Sequence, residues 1–128
     1  MSKRILVVDD DAAIRDSLRL TLERAGYRAT TVDGGEKAID AFRTDQFDLV
    51  LLDLKMPEMD GIETLRALRK LDAEVPIYIV TAFHEEYFDR LSALTEAQIS
   101  FQLMMKPLDG DQVRTLVREI LTDEVGPD

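Results

Sequence analysis

The sequence predicts an α/β fold: a doubly wound five-stranded parallel sheet of strand order 2-1-3-4-5, with five helices on both of its faces. Three observations predict it. Strand-like and helix-like patterns alternate along the chain as five β/α units. The runs Ile5-Leu6-Val7-Val8, Leu49-Val50-Leu51-Leu52 and Ile77-Tyr78-Ile79-Val80 are apolar throughout rather than alternating. Continuous apolar strands are buried on both faces, which requires helices on both sides of a parallel sheet joined by right-handed crossovers.

The elements follow in order. The first strand, Ile5–Val8, stops at Asp9-Asp10-Asp11. Ile14, Leu18 and Leu22 then recur at helical spacing, and the helix ends near Gly26. Arg28–Val32 reads as a weaker second strand, broken by Asp33-Gly34-Gly35, before a helical face of Ala38, Ile39 and Phe42. The third strand, Leu49–Leu52, ends at Asp53, and Asp60-Gly61 precedes a helix carrying Ile62, Leu65 and Leu68. Pro76 opens the fourth strand, which ends at Thr81, and a helix over residues 85–97 follows. The fifth strand is expected over Ile99–Met105, ending at Lys106-Pro107, with Met104 and Met105 as core filling. Val113, Leu116, Val117, Ile120 and Leu121 form the last helical stripe. One domain over residues 1–123 is expected, with 124–128 an acidic tail or a truncated linker.

Composition narrows the function. No apolar run approaches the roughly 20 residues of a membrane span, and Met1-Ser2-Lys3-Arg4 leads into too short an apolar stretch for a signal peptide. Cysteine is absent, so disulfide and thiolate chemistry are excluded. A cytoplasmic protein is expected. The net charge of −10 argues against direct binding to nucleic-acid phosphates.

The polar residues at the strand ends carry the chemistry. Asp9, Asp10 and Asp11 end the first strand, Asp53 the third, Thr81 the fourth and Lys106 the fifth. In a parallel sheet these ends share one edge, and ligands bind there where strand order reverses, between strands 1 and 3 in this flavodoxin-like order. Clustered carboxylates repel one another, and a hard divalent cation relieves the repulsion. Mg²⁺ suits a site that keeps waters and adds phosphate oxygens. A carboxylate can also serve as the nucleophile of phosphoryl transfer. Asp11 is expected to start the following helix, and Gly34, Gly35 and Gly61 to serve turns rather than a phosphate cradle.

The segments Val7-Val8-Asp9-Asp10-Asp11, Leu52-Asp53-Leu54-Lys55-Met56-Pro57-Glu58-Met59-Asp60-Gly61, Thr81-Ala82 and Lys106-Pro107 together resemble the receiver domains of two-component response regulators. The resemblance covers essentially the whole chain. It implies that Asp53 is the phosphoacceptor, that Asp9, Asp10, Asp53 and the main-chain carbonyl of Lys55 hold Mg²⁺, that Thr81 is the switch hydroxyl, and that Lys106 pairs with the phosphoryl group. It implies a sensor histidine kinase or histidine phosphotransfer protein as donor. A downstream protein or an output domain would read the surface of helix 4, strand 5 and helix 5, with a homodimer on phosphorylation also allowed. Lys106 is expected to bridge to Asp53 before phosphorylation, and Pro107 to follow a cis bond. The resemblance also implies that Lys55 and Phe83 stand at the positions that modulate phosphoryl lifetime.

The chain departs from the family pattern in two places. Leu103 stands where an aromatic switch residue is usual, with Phe101 two residues earlier on the same strand face. The stretch from Thr81 to Lys106 is longer than typical, which would extend helix 4 or the loop after it. Two other chemistries fit less well. A haloacid-dehalogenase-type phosphohydrolase wants an acid two residues after its nucleophile, where this chain has Lys55. A flavodoxin-like FMN carrier needs a phosphate cradle after strand 1, where three aspartates would repel the phosphate. A degenerate receiver that only binds proteins is the third alternative, and the intact acidic set argues against it.

Overall fold

A computed structural model describes residues 2–82, 84–106 and 108–122, apart from the side chains of His84 and Thr122. Phe83, Pro107 and the residues from 123 onward lie outside the described residues, and with them the expected cis bond and the tail boundary. Five strands, β1 (Arg4–Val8), β2 (Arg28–Val32), β3 (Leu49–Asp53), β4 (Ile77–Thr81) and β5 (Gln102–Met105), pair in parallel in the order β2-β1-β3-β4-β5. They alternate with α1 (Ala12–Arg24), α2 (Gly35–Thr44), α3 (Gly61–Leu71), α4 (Phe88–Glu96) and α5 (Gly110–Thr122), and a 3-10 turn, His84–Tyr87, leads into α4. No described helix is long and apolar enough to cross a membrane.

The period-2 alternation of the strands builds two cores. Leu6, Val8, Val50, Leu52, Ile77 and Ile79 face α2, α3 and α4, where Ala38, Leu65, Leu68, Leu91 and Leu94 are buried. Ile5, Val7, Leu49 and Leu51 face the other way, against Leu22 of α1 and Val113, Val117 and Leu121 of α5. Both faces of the central strands are dry, as their continuous apolar runs require. The register Val8↔Leu52 and Asp53↔Val80 brings the ends of β1, β3 and β4 to one edge.

Helix ends are fixed by local chemistry. Asp11 caps α1 through its Oδ1, which accepts hydrogen bonds from the Ala13 and Ile14 N–H groups. Asp60 and Glu63 form a reciprocal capping box at α3. At the other ends α1 and α4 close with the same double bond pattern. Gly26 N–H donates to the Glu23 carbonyl and Tyr27 N–H to Leu22, while Gln98 N–H donates to Thr95 and Ile99 N–H to Leu94. These are Schellman closures, which need a left-handed residue. Gly26 supplies it without strain at φ 98°, but at α4 the side chain of Gln98 is carried at φ 63°.

The fifth strand is shorter than its sequence suggests. Ile99 spends its N–H on the closure of α4, and the Ser100 carbonyl accepts from Arg69 Nε at 3.0 Å, so pairing with β4 starts at Gln102. As the edge strand, β5 is also poorly covered. Met105 is 47% exposed and Met104 only half-buried, so neither is the core filling expected of them. Phe101, placed before the strand, packs on the α3/α4 core, whereas Leu103 is 38% exposed.

The strain at Gln98 gives a direct test. Gln98→Gly should stabilise the chain by about 0.5–1 kcal/mol, because a left-handed conformation costs an L-residue about that much or more. Chemical denaturation of the two proteins measures the difference.

Candidate functional site

Asp53 ends β3 at the centre of the sheet, and Asp9 and Asp10 follow β1 beside it. One carboxylate oxygen from each of Asp9, Asp10 and Asp53 lies within 4.8 Å of the other two. Asp9 is 3% and Asp53 7% exposed, while Asp10 is exposed at the rim. Lys106, entering from the end of β5, places its Nζ 3.2 Å from Asp9 Oδ2 and 3.3 Å from Asp53 Oδ1. The expected bridge from Lys106 to Asp53 is therefore present, and it is shared with Asp9. The Lys106 main-chain N–H donates to the Thr81 carbonyl at 2.9 Å, which ties the ends of β4 and β5 together. Thr81 is buried at the end of β4, one residue beyond the register partner of Asp53.

The electrostatics are unbalanced. Burial, and then the neighbouring Asp9 charge, push the Asp53 carboxyl up to about 6, against the opposing pull of Lys106. Burial disfavours the charged form of Lys106, but Asp53 and Asp9 outweigh it and raise its pKa above the ordinary lysine value. A single ammonium thus faces a surplus of carboxylate charge. Hard oxygen donors, few in number and partly open to solvent, are the donor set that Mg²⁺ takes. The acidic cluster can hold such a cation.

Several positions around the site have no local sequence signal. A Cβ on Gly61 would lie 2.4 Å from the Asp53 carbonyl oxygen and 2.7 Å from Leu54 Cα, so this glycine serves a close approach of α3 to the end of β3 rather than a turn. Gly35 likewise packs against Thr64 and Met59. Arg15 Nη1 donates to the Asp9 carbonyl at 2.7 Å. Two ion pairs join the loop after Asp53 to the segment after β4: Arg90 to Asp60 at 2.7 Å and Lys55 to Glu86 at 3.9 Å. Neither pair is visible in sequence, because its partners lie about thirty residues apart. The expected switch position, Leu103, stands apart on the edge strand, opposite Ile79.

The response regulator receiver domain family matches residues 5–118 of the chain. The alkaline phosphatase synthesis transcriptional regulatory protein PhoP of Bacillus subtilis is 39% identical over 121 residues, covering 94% of this chain and 49% of PhoP. The chain spans about half the length of such full regulators. Among solved structures, a CheY-like response regulator receiver domain protein from Methanospirillum hungatei is 28% identical with a TM-score of 0.84, covering 99% of this chain and 100% of that one. The Thermotoga maritima response regulator TrrA, solved in complex with Mg²⁺–BeF, is 34% identical with a TM-score of 0.78, covering 93% and 99%.

The charge imbalance makes the metal-free chain pH-sensitive. The folded-state value of Asp53 lies above its ordinary value of 3.8. Its contribution to stability is therefore full below about pH 4 and is lost as pH rises through about 6. With divalent ions chelated, Asp53→Asn should be more stable than the parent at pH 8 by about 1–3 kcal/mol, the range allowing for screening by the water that reaches the site. The difference should vanish near pH 4. Thermal melts of both proteins across this range measure it.

Proposed function

The chain belongs to the response regulator receiver domain family of two-component signalling, and we propose that its switch is phosphorylation of Asp53. The donor is a phosphohistidine on a sensor kinase or a phosphotransfer protein. An Asp53 carboxylate oxygen attacks phosphorus; the phosphorus–nitrogen bond to the imidazole breaks; the electron pair stays on that nitrogen, which takes up a proton. The observation that carries this reading is the convergence of Asp9, Asp53 and Lys106, from three different strand ends, on one point.

Asp9, Asp10, Asp53 and the main-chain carbonyl of Lys55 are the residues we assign to Mg²⁺. When bound, the ion offsets negative charge on the transferring oxygens. Lys106 stands 3.3 Å from the acceptor and supplies a fixed positive charge where the phosphoryl oxygens gather. The Asp53 carboxyl is raised first by burial and then by the charge of Asp9; a bound cation would offset that charge and favour the ionised carboxylate as a nucleophile. That the relative TrrA was solved in complex with Mg²⁺–BeF supports assigning Mg²⁺ to this chain.

The readout we propose runs through Thr81. A phosphoryl group on Asp53 adds charge and acceptor oxygens beside the buried threonine, whose hydroxyl turns to donate to them. That draws on the segment after β4 and alters the surface of α4, β5 and α5. Leu103 has no hydroxyl to report the change, so packing and charge carry it. The partner is a downstream protein or an output domain, and a second phosphorylated copy is the alternative. The acidic chain neither binds nucleic acid directly nor inserts into a membrane, and it acts in the cytoplasm as a signalling module, not a dedicated enzyme.

Two predictions test this reading. Incubation with Mg²⁺ and acetyl phosphate or phosphoramidate should add one phosphoryl mass, and Asp53→Asn should abolish it. Labelling that persists in the variant at an unrelated site rejects the assignment, and an unlabelled parent favours a receiver that only binds proteins. We further assign Lys55 and Phe83 to shielding the phosphoryl group from in-line water. Lys55→Asn and Phe83→Glu should each shorten the phosphorylated lifetime several-fold, roughly the effect of orienting an attacking water. Loss of phosphorylated mass after donor removal measures it, and an unchanged rate in both variants refutes the shielding.

A further inference from the structure

We infer that Arg15 is a positioning residue for the metal site, setting the Asp9–Asp10 peptide so that the Asp10 carboxylate meets those of Asp9 and Asp53. The inference rests on the metal assignment above and concerns a residue to which that assignment gives no role.

The three carboxylates are not held alike. Asp9 is fixed at both oxygens: Oδ1 accepts from the Asp11 N–H at 2.9 Å and Oδ2 from Lys106 at 3.2 Å. Asp53 is fixed by its strand and by Lys106. Asp10 is exposed, and among the described residues its carboxylate has no hydrogen-bond or ion-pair partner. Its place in the cluster is therefore set by its backbone. The peptide before it is planar and contains the Asp9 carbonyl, so whatever holds that carbonyl limits the direction in which Asp10 leaves the chain.

Arg15 holds it, by a 2.7 Å bond from Nη1. Arg15 is half-buried and sits on the first turn of α1, where its main-chain N–H donates to the Asp11 carbonyl at 3.0 Å. A closed circuit results. Asp11 caps α1, α1 carries Arg15, Arg15 returns to the Asp9 carbonyl, and the Asp11 N–H returns to the Asp9 carboxylate. On its other side the Asp9 N–H is bonded to Val32 of β2 at 3.2 Å. Both peptide groups of Asp9 are thereby tied, and Asp10 inherits the alignment.

Positioning and simple charge predict opposite signs. A guanidinium beside an acidic cluster repels an incoming divalent cation, so if charge alone mattered its removal would tighten Mg²⁺ binding. If Arg15 acts by position, its removal weakens binding. The test is calorimetric titration of Mg²⁺ into the metal-free full chain at physiological salt, comparing the parent with Arg15→Ala, Arg15→Met and Arg15→Lys. We expect Arg15→Ala and Arg15→Met to weaken Mg²⁺ affinity roughly 10-fold, the low end for loss of an outer-shell partner. Arg15→Lys, whose ammonium can still donate to the carbonyl, should recover part of it. Arg15→Met keeps the packing of the stem, so it carries the test if Arg15→Ala fails to melt cooperatively in chelator. Unchanged or tighter binding in Arg15→Met overturns the inference, as does an Arg15→Lys affinity no better than that of Arg15→Met. A parent chain that binds no Mg²⁺ overturns the metal assignment itself, and this inference with it.

Discussion

Everything at the working edge depends on one mismatch: two buried carboxylates, Asp9 and Asp53, share a single ammonium. The chain could relieve the mismatch by replacing an aspartate with a neutral residue. It keeps both, and folding energy from two dry cores pays for holding them together. The repulsion that strains the metal-free state is what a divalent cation at these oxygens would relieve. Lys106 is the pivot, because its side chain spans both carboxylates while its main chain is bonded to Thr81.

Much of this was legible in the sequence, for identifiable reasons. The apolar runs ending at Asp9, Asp53 and Thr81 report both the strands and their shared edge, because a parallel sheet puts every strand end on the same side. Ile14, Leu18 and Leu22 carry the helical period, and Gly26 marks where α1 stops. The reading failed where local pattern and long-range contact disagree. Ile99, Ser100 and Phe101 look like strand, yet the Ile99 N–H is drawn to α4 and the Ser100 carbonyl to Arg69, and only Gln102–Met105 pair. The apolar character of Met104 and Met105 suggests burial, but an edge position leaves them open. The end of α4 falls where the helical pattern stops, at Ala97, but its closure by Gln98 in a left-handed conformation, which sequence assigns to glycine, carried no signal. Arg15, Arg90 and Glu86 were invisible because their partners are set by the fold, not by spacing.

The ion pairs on the α4 side bear on how the site speaks to the surface. Asp60 caps α3 with one oxygen and receives Arg90 of α4 on the other, and Lys55, two residues after Asp53, lies near Glu86. Arg90 also sits 5.9 Å from the centre of the Tyr87 ring. The start of α4 is thus attached by charge to the very loop that leaves Asp53. Exposed pairs of this kind are individually weak, so they can exchange partners when the charge beside them changes. These contacts join the loop after Asp53 to the start of α4 independently of position 103 on the edge strand.

Gly61 stands at the opposite extreme of compliance. The atoms that a methyl group there would meet are the carbonyl oxygen of Asp53 and the Cα of Leu54, main-chain atoms that cannot swing aside as the end of a long side chain can. The first turn of α3 is therefore seated directly on the Asp53–Leu54 peptide, with the Gly61 N–H bonded to the Leu54 carbonyl at 2.8 Å. One flank of Asp53 is thereby an anvil: to shift its peptide toward α3, main chain would have to move against main chain. On the carboxylate itself the contact is of the opposite kind, the end of the long Lys106 side chain. A missing methyl group thus decides which neighbour of Asp53 can yield.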